Sequence, residues 1–176
     1  MRIVGGKYKS RVLLEFKGNA VRPTPDKVRE SFFNIIQSRV YGCSFLDLCS
    51  GTGAMGIEAL SRGAKYVAFN DLDRQSVKLT TQNLEKLGVD SGVKVTNLDA
   101  CVFLKSTAEK FDVIYIDLPY INDKAQSVLE LSLDRLNENG IVVYENEKPF
   151  DLSVSNLVQF DQRKYGRVYL TFFKEK

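Results

Sequence analysis

The chain has 176 residues, of which 44% are hydrophobic, and its formal net charge is only +3. This length suits a single domain (residues 1–176) with a sizeable buried core, and because no apolar run approaches membrane-spanning length we expect a soluble, cytoplasmic protein with no membrane partner. Three cysteines without a CxxC pair disfavour a disulfide framework or a thiolate zinc site, and the absence of histidine removes the commonest metal ligand, so we expect no metal.

The first 40 residues are predicted to form an extension that precedes the main core. Two short strands, residues 2–4 and 11–15, surround a glycine turn, and a stiff proline-containing turn at residues 22–25 follows them. An amphipathic helix then begins near Asp26. The extension is therefore a small β-hairpin followed by a helix.

The helix and the charge of this extension lead to two further expectations. Apolar residues recur at helical spacing from Val28 onward, and Arg29 and Glu30 are expected to face solvent. The first 30 residues contain eight lysines and arginines and three acidic residues, which suits a surface that faces phosphates. An ordinary solvated terminus explains the charge equally well.

Residues 41–176 alternate short apolar strands with helices, which is typical of a Rossmann-like core. The predicted strands are residues 45–48, 66–69, 93–98, 113–116 and 141–144. The predicted helices between them are residues 54–61, 74–87, 100–106 and 124–133. This alternation predicts an α/β fold with a seven-stranded, mostly parallel, doubly wound sheet, in which two strand-like runs near the C-terminus, within residues 157–173, form an antiparallel hairpin at one edge.

A glycine-rich loop follows the first core strand. Residues 47–56 read Asp-Leu-Cys-Ser-Gly-Thr-Gly-Ala-Met-Gly and contain G-x-G-x-x-G between a strand and a helix. Ser50, Gly51 and Gly53 are candidate cofactor-binding residues, and an NAD pyrophosphate is a serious competitor for this loop. Asp47 favours S-adenosylmethionine instead, because its carboxylate repels a pyrophosphate but can reach the ammonium of the methionine moiety. The alternative role for Asp47 is a helix cap.

The next two strands end in residues that suit a nucleoside. Asp71 can accept hydrogen bonds from both ribose hydroxyls, and Leu72 can lie against the adenine; the alternative for Asp71 is a solvated loop acid. After the third strand, Asp99 can accept from the adenine amino group while the Ala100 backbone N–H contacts a ring nitrogen. A plain N-cap explains Asp99 about as well.

The fourth strand ends in a tetrapeptide that is more specific. An exocyclic amine on a base is a poor nucleophile, because its lone pair is delocalised into the ring. Asp117 and the carbonyl of Leu118 can accept its two N–H groups and aim the lone pair, Pro119 can fix that carbonyl, and Tyr120 can stack on the base. Taken by itself, the tetrapeptide is better explained by a turn that merely ends the strand; in combination with Asp47, Gly51, Gly53 and Asp71 in strand-by-strand order, it favours the target pocket.

With these residues in hand, the whole chain resembles the RsmD family of class I methyltransferases, which methylate guanine N2 in 16S ribosomal RNA. The stretches 2–7 and 22–34 resemble the N-terminal signature of that family. The resemblance implies S-adenosylmethionine as cofactor, with Asp47, Gly51, Gly53 and Asp71 holding it and residues 117–120 forming the target pocket. It further implies small-subunit ribosomal RNA as partner, as free RNA or within a partly assembled subunit, with RNA contacts from five basic residues: Lys7, Lys9, Arg11, Arg22 and Arg29. For Arg22 and Arg29, salt bridges to the helix are an alternative of nearly equal weight.

One departure and three alternatives remain at this level. The family usually has proline where this chain has Leu118, so the carbonyl survives while its rigidity falls. The same tetrapeptide geometry serves other planar amines, such as adenine N6 or a glutamine side chain. An NAD-dependent reductase and a non-catalytic RNA-binding protein are further alternatives.

Overall fold

A seven-stranded sheet forms the centre of the protein in the computed structural model, which describes residues 1–16, 24–119, 124–150 and 154–176. The strands are β1 (Ser44–Leu48), β2 (Tyr66–Asn70), β3 (Val93–Thr96), β4 (Phe111–Ile116), β5 (Leu136–Asn146), β6 (Leu157–Tyr165) and β7 (Val168–Glu175). Their order is β3-β2-β1-β4-β5-β7-β6; β7 is antiparallel to both neighbours, and the other pairs are parallel. The predicted sheet and its C-terminal hairpin are confirmed.

Helices cover both faces of the sheet, which confirms that it is doubly wound. They are α1 (Asp26–Ile35), α2 (Gln37–Val40), α3 (Ala54–Ser61), α4 (Arg74–Leu87), α5 (Ala100–Ser106) and α6 (Ala125–Leu133). Helices α1, α2, α3 and α4 pack against one face of the sheet in one hydrophobic core. Helices α5 and α6 pack against the other face in a second core. Within the described ranges, every helix is too short or too polar to cross a membrane.

Local sequence signals start three helices at the carboxyl edge of the parallel strands. Gly53 has a φ of 76° and precedes α3. Asp73 precedes α4 and accepts a hydrogen bond from the Ser76 N–H at 2.9 Å, and Asp99 precedes α5 in the same way. Because these caps follow the strand ends directly, the loops between strand and helix are short and lie close together.

The N-terminal hairpin is looser than the sequence predicted. The two expected strands are reduced to an isolated antiparallel bridge between Arg2 and Val12. Side chains of the core compete for the backbone: the Val4 N–H donates to Glu58 Oε2 at 2.9 Å, and the Leu14 N–H donates to Asn83 Oδ1 at 2.7 Å. The prediction of two regular strands was therefore wrong, because helices α3 and α4 supply acceptors that a hairpin partner would otherwise provide.

Arg29 does not face solvent, and its predicted contact with RNA is wrong. Its side chain is completely buried. The guanidinium donates to Asp26 Oδ1 at 2.8 Å and to the backbone carbonyls of Arg2 and Thr24, and its Nε lies 3.5 Å from Glu58 Oε2. Arg29 therefore fastens the N-terminal segment to α3, because a buried guanidinium needs a carboxylate and several acceptors around it.

Candidate active site

Three acidic residues from separate strands meet at the carboxyl edge of the sheet. Asp47 lies in β1, Asp71 follows β2 directly, and Asp117 follows β4 directly. The register aligns Asp47 with Phe69 of β2 and with Tyr115 of β4. The structure therefore brings together the carboxyl groups that the sequence assigned to the cofactor and to the target.

The glycine-rich loop between β1 and α3 is held by hydrogen bonds at Ser50 and Gly51. The Ser50 N–H donates to the Asn70 carbonyl at 3.0 Å, and the Thr80 hydroxyl donates to the Gly51 carbonyl at 3.1 Å. Gly51 and Gly53 have φ values of 54° and 76°, which residues other than glycine rarely adopt. The loop thus presents backbone at the N-terminus of α3, where a ligand can approach closely.

Asp47 is buried beneath this loop, with 2% of its surface exposed. Its Oδ2 accepts a hydrogen bond from the Gly56 N–H at 2.8 Å, so the carboxyl group interacts with the first turn of α3 as the helix-cap alternative predicted. The pKa of Asp47 is raised to about 8, mainly by burial and further by the negative charges of Asp71 and Glu145, while the Gly56 hydrogen bond acts in the opposite direction. An ammonium group beside Asp47 would reverse this shift. Its contact with the methionine moiety stays a prediction.

Asp71 is bound to the glycine-rich loop. Its Oδ2 accepts from the Gly51 N–H at 2.8 Å, and its Oδ1 accepts from the Asp73 N–H at 2.9 Å. Partial burial raises the pKa of Asp71, although these hydrogen bonds act in the opposite direction. Beside it, Leu72 is an apolar side chain with 68% of its surface exposed. This pair lies where the sequence predicts the ribose and the adenine, and those contacts stay predictions.

Asp99 serves as the N-cap of α5. Its Oδ1 accepts from the N–H groups of Cys101 and Val102 at 2.9 and 3.3 Å, and its Oδ2 pairs with Lys124 Nζ at 2.9 Å. The hydrogen bond from Lys124 is the main reason that the pKa of Asp99 is lowered. The cap alternative is confirmed, while contacts of Asp99 and of the buried Ala100 with adenine stay predictions.

The tetrapeptide after β4 combines a buried leucine with a carboxyl group. The Asp117 N–H donates to the Leu48 carbonyl at 3.3 Å, which holds the loop against the end of β1. Leu118 is 4% exposed and packs in the core beneath α5 and α6, while Pro119 is exposed. Burial, then the charges of neighbouring carboxyl groups, raises the pKa of Asp117 well above its usual range. Tyr120 and Arg22 lie outside the described residues.

A fourth carboxyl group at this edge, Glu145, was missed by the sequence analysis. It lies near the end of β5 with 3% of its surface exposed. Its Oε2 accepts hydrogen bonds from the Tyr115 hydroxyl and, at 3.2 Å, from the Thr24 hydroxyl. The predicted strand ended one residue earlier, at Tyr144. An acid at the end of an apolar strand beside β4 was the available signal.

The charge balance of the site favours a cation. Four carboxyl groups lie at this edge of the sheet: those of Asp47, Asp71, Asp117 and Glu145. The pKa of each is raised, with burial as the largest cause. Among the described residues, none of the four makes an ion pair with a lysine or arginine. Among the described residues, no group of three or more His, Cys, Asp or Glu side chains is arranged so that it could hold a metal ion. A positively charged organic ligand fits this edge better than an anion does.

The predicted RNA-binding residues of the N-terminal segment lie apart from these acids. Lys7, Lys9 and Arg11 are exposed. The Lys7 N–H donates to the carbonyl of Ser61, the last residue of α3, which is one helix length, about 12 Å, from the glycine-rich loop. The structure therefore places Lys7 outside the site, at the end of α3 that lies away from the glycine-rich loop.

Comparisons with known proteins agree with this architecture. The family described as "Conserved hypothetical protein 95" matches residues 1–174. The Bacillus subtilis protein YlbH is 34% identical over 183 residues, with 100% of both chains covered. Ribosomal RNA small subunit methyltransferase D of Haemophilus influenzae is 33% identical over 153 residues, covering 84% of this chain and 79% of that protein. The solved structure of yhhF from Escherichia coli has a TM-score of 0.87 at 25% identity, covering 100% of this chain and 98% of that chain.

The strand order, with its antiparallel seventh strand, and the glycine-rich loop after β1 define a class I methyltransferase fold. Both the family match and the curated relative extend over most of the chain. The chain belongs to the RsmD family, as its N-terminal stretches and its tetrapeptide predicted.

Proposed function

We propose that this protein is an S-adenosylmethionine-dependent methyltransferase that methylates guanine N2 in small-subunit ribosomal RNA. The observation that carries the proposal is the set of four carboxyl groups, without cationic partners among the described residues, beside a glycine-rich loop. A dinucleotide would bring a pyrophosphate to these acids, and the repulsion disfavours the NAD alternative. S-adenosylmethionine carries an ammonium and a sulfonium, which suit them.

The chain offers a contact for each part of this cofactor. Asp47 and the backbone of the glycine-rich loop would hold the methionine part, and Asp71 would accept from the ribose hydroxyls. Leu72 would cover the adenine, with Asp99 and Ala100 at its polar edge. When bound, the cofactor supplies an electrophilic methyl group.

The tetrapeptide would orient the nucleophile. Asp117 accepts one N–H of the exocyclic amine, and the Leu118 carbonyl accepts the other, so that the nitrogen lone pair points at the methyl carbon. As the nitrogen–carbon bond forms and the sulfur–carbon bond breaks, the amine loses a proton. The Asp117 carboxylate would accept this proton, and burial, which raises its pKa, makes it a stronger base than an exposed carboxylate. Tyr120 would stack on the base.

The family and the surface charge support this substrate class. The Haemophilus influenzae relative is named for the small-subunit ribosomal RNA. Lys7, Lys9 and Arg11 are exposed on the N-terminal segment, outside the site, where they could contact the phosphate backbone of an RNA that extends past the target base and position it without reading its sequence. A partly assembled subunit would supply recognition surface that one small domain lacks.

The first test combines calorimetry with methyl transfer. The protein should bind S-adenosylhomocysteine and not NADH, and it should transfer labelled methyl from S-adenosylmethionine to small-subunit RNA, as naked RNA or in partly assembled subunits from cells that lack the enzyme. Changing Lys7, Lys9 and Arg11 to Gln should raise the KM for RNA and leave the cofactor affinity unchanged. Binding of NADH alone, or RNA binding without any transfer, would contradict the proposal.

A further inference from the structure

Glu145 is a buried acid that the fold itself does not need. It is 3% exposed and has no cationic partner among the described residues. Burying a carboxyl group without such a partner is costly, and an apolar residue at this position of β5 would stabilise the sheet instead. Residues that break such a local rule concentrate at functional sites.

The contacts of Glu145 connect two parts of the molecule. Its Oε2 accepts from the hydroxyl of Thr24, in the segment that leads into α1, and from the hydroxyl of Tyr115 in β4. Tyr115 lies two residues before Asp117, and its ring packs edge-on against Phe32 of α1 at 5.0 Å between ring centroids. One carboxyl group thus joins the N-terminal segment, β5 and the strand that leads to the target loop.

Asp117 depends on its surroundings for its position, because no side-chain hydrogen bond fixes its carboxyl group within the described residues. The register places Ile116 opposite Tyr144, so Asp117 and Glu145 come next on adjacent parallel strands, which are about 4.8 Å apart. Movement of β4 relative to β5 would therefore displace Asp117 directly.

We propose that Glu145 is a positioning residue for the target pocket: by binding Thr24 and Tyr115 together, it fixes the end of β4 and so the Asp117 carboxyl group beside the substrate amine. This inference rests on the proposed function. It would also give the N-terminal segment a role in catalysis, since Thr24 contacts the site through Glu145.

The charge of Glu145 adds a second effect that can be measured, a shift of the pH–rate profile. The titratable groups around Asp117 are Asp47 in β1, Cys49 after β1, Asp71 after β2, Tyr115 in β4, and Tyr144 and Glu145 in β5. Arg29 in α1 contacts the carbonyl of Thr24, on the other side of Glu145. Burial is the first cause of the raised pKa of Asp117, and Glu145 is the next. Removing the charge of Glu145 lowers the pKa of Asp117, so the acidic limb of the pH–rate profile moves to lower pH.

Two variants separate the hydrogen bonds from the charge. Glu145→Gln keeps an acceptor and removes the charge, while Thr24→Val removes one donor and keeps the shape. With saturating cofactor, we expect each variant to lower kcat on small-subunit RNA, by about tenfold or more for Glu145→Gln, and to change the affinity for S-adenosylhomocysteine less than about twofold. Only Glu145→Gln should move the acidic limb. Glu138→Gln in the same strand, where the side chain is exposed, is the matched control.

The outcomes distinguish this inference from the proposed function. If wild-type protein transfers no methyl group to the RNA, the proposed function is wrong, and the inference is wrong with it. If wild type is active and Glu145→Gln keeps its kcat and its pH profile, only the inference is overturned. A loss of kcat that the fall in cofactor affinity fully explains would also overturn it. Should Glu145→Gln fail to fold, Thr24→Val alone decides: an unchanged kcat contradicts the proposed role.

Discussion

At the scale of single residues, the four aspartates that lie near or after strand ends at the carboxyl edge of the sheet have different surroundings. Asp47 is buried under a loop and bound to the first turn of α3, Asp71 holds the glycine-rich loop, and Asp99 is neutralised by Lys124. Asp117 has no side-chain partner among the described residues. We infer that the first three organise the cofactor and that Asp117 is left available for the substrate amine.

Replacing Asp47 should change how stability depends on pH. The folded pKa is about 8 against an ordinary 3.8, so the folded state binds more protons than the unfolded state between these values. The ligand-free wild type should therefore lose stability as the pH rises from about 4 to about 8, by at most about 1.4 kcal/mol per pH unit from one group. Denaturant unfolding should show a flatter profile for Asp47→Asn. Parallel profiles would contradict the buried, neutral Asp47.

Replacing Leu118 tests the rigidity of the target loop. Proline keeps the carbonyl and fixes the local backbone, but it gives up part of a buried side chain, at a cost of about 1–3 kcal/mol. Leu118→Pro should keep or raise kcat while lowering stability, and Leu118→Ala, which loses the same packing without the stiffening, should be slower. A sharp loss of turnover in a folded Leu118→Pro protein would count against this account of the loop.

At the scale of elements, the close packing of α3 on β2 sets the position of the glycine-rich loop. A Cβ at Gly56 would lie 2.3 Å from Phe69 Cε1 and 2.8 Å from Val67 Cγ1. The N–H of Gly56 also donates to Asp47. The glycine therefore fixes both the distance between helix and sheet and the position of a cofactor-binding acid.

We expect Gly56→Ala to destabilise the protein by about 1–3 kcal/mol, because Phe69 and Val67 have to shift, and to weaken the binding of S-adenosylhomocysteine. Thermal unfolding and calorimetry measure the two effects. Gly88→Ala at the end of α4 is the control, since nothing lies within 4 Å of its added Cβ and only its positive φ is unfavourable. Equal cofactor affinity in Gly56→Ala and wild type would contradict this role.

Apolar periodicity and turn residues in the sequence were sufficient to predict most helices and strands of the core. The predicted bounds of α3, α4 and α5 agree with the structure, because apolar spacing and capping residues are local signals. The prediction of the N-terminal strands was wrong because Glu58 and Asn83, more than 50 residues away, accept hydrogen bonds from the backbone N–H groups of that segment. Glu145 was missed for a similar reason, since only the folded sheet brings it to Tyr115 and Thr24.

At the scale of the whole molecule, one buried ion cluster fastens the N-terminal segment to the core. Glu58 is fully buried; its Oε2 accepts from the Val4 N–H at 2.9 Å, and its Oε1 accepts from Arg62 Nε at 2.8 Å. Arg29 completes the cluster and holds the carbonyl of Thr24 at 3.4 Å. The segment that carries the exposed lysines is thus bound to the same body as the site.

Arg29→Met should destabilise the protein by about 3–5 kcal/mol, because it leaves Glu58 buried with weaker compensation. Denaturant unfolding measures this loss. A surface arginine that contacts RNA would behave differently: its replacement would lower RNA affinity and leave stability within about 0.5 kcal/mol. That second pattern would contradict the buried role.

The most direct test of the account is the chemical identity of the methylated nucleoside. Small-subunit RNA labelled by the wild-type protein should be digested to nucleosides and compared with RNA treated with Asp117→Ala, after folding and cofactor affinity of the variant have been verified. The account predicts N2-methylguanosine with the wild type and none with the variant. Label on adenine N6, or N2-methylguanosine undiminished by Asp117→Ala, would contradict it.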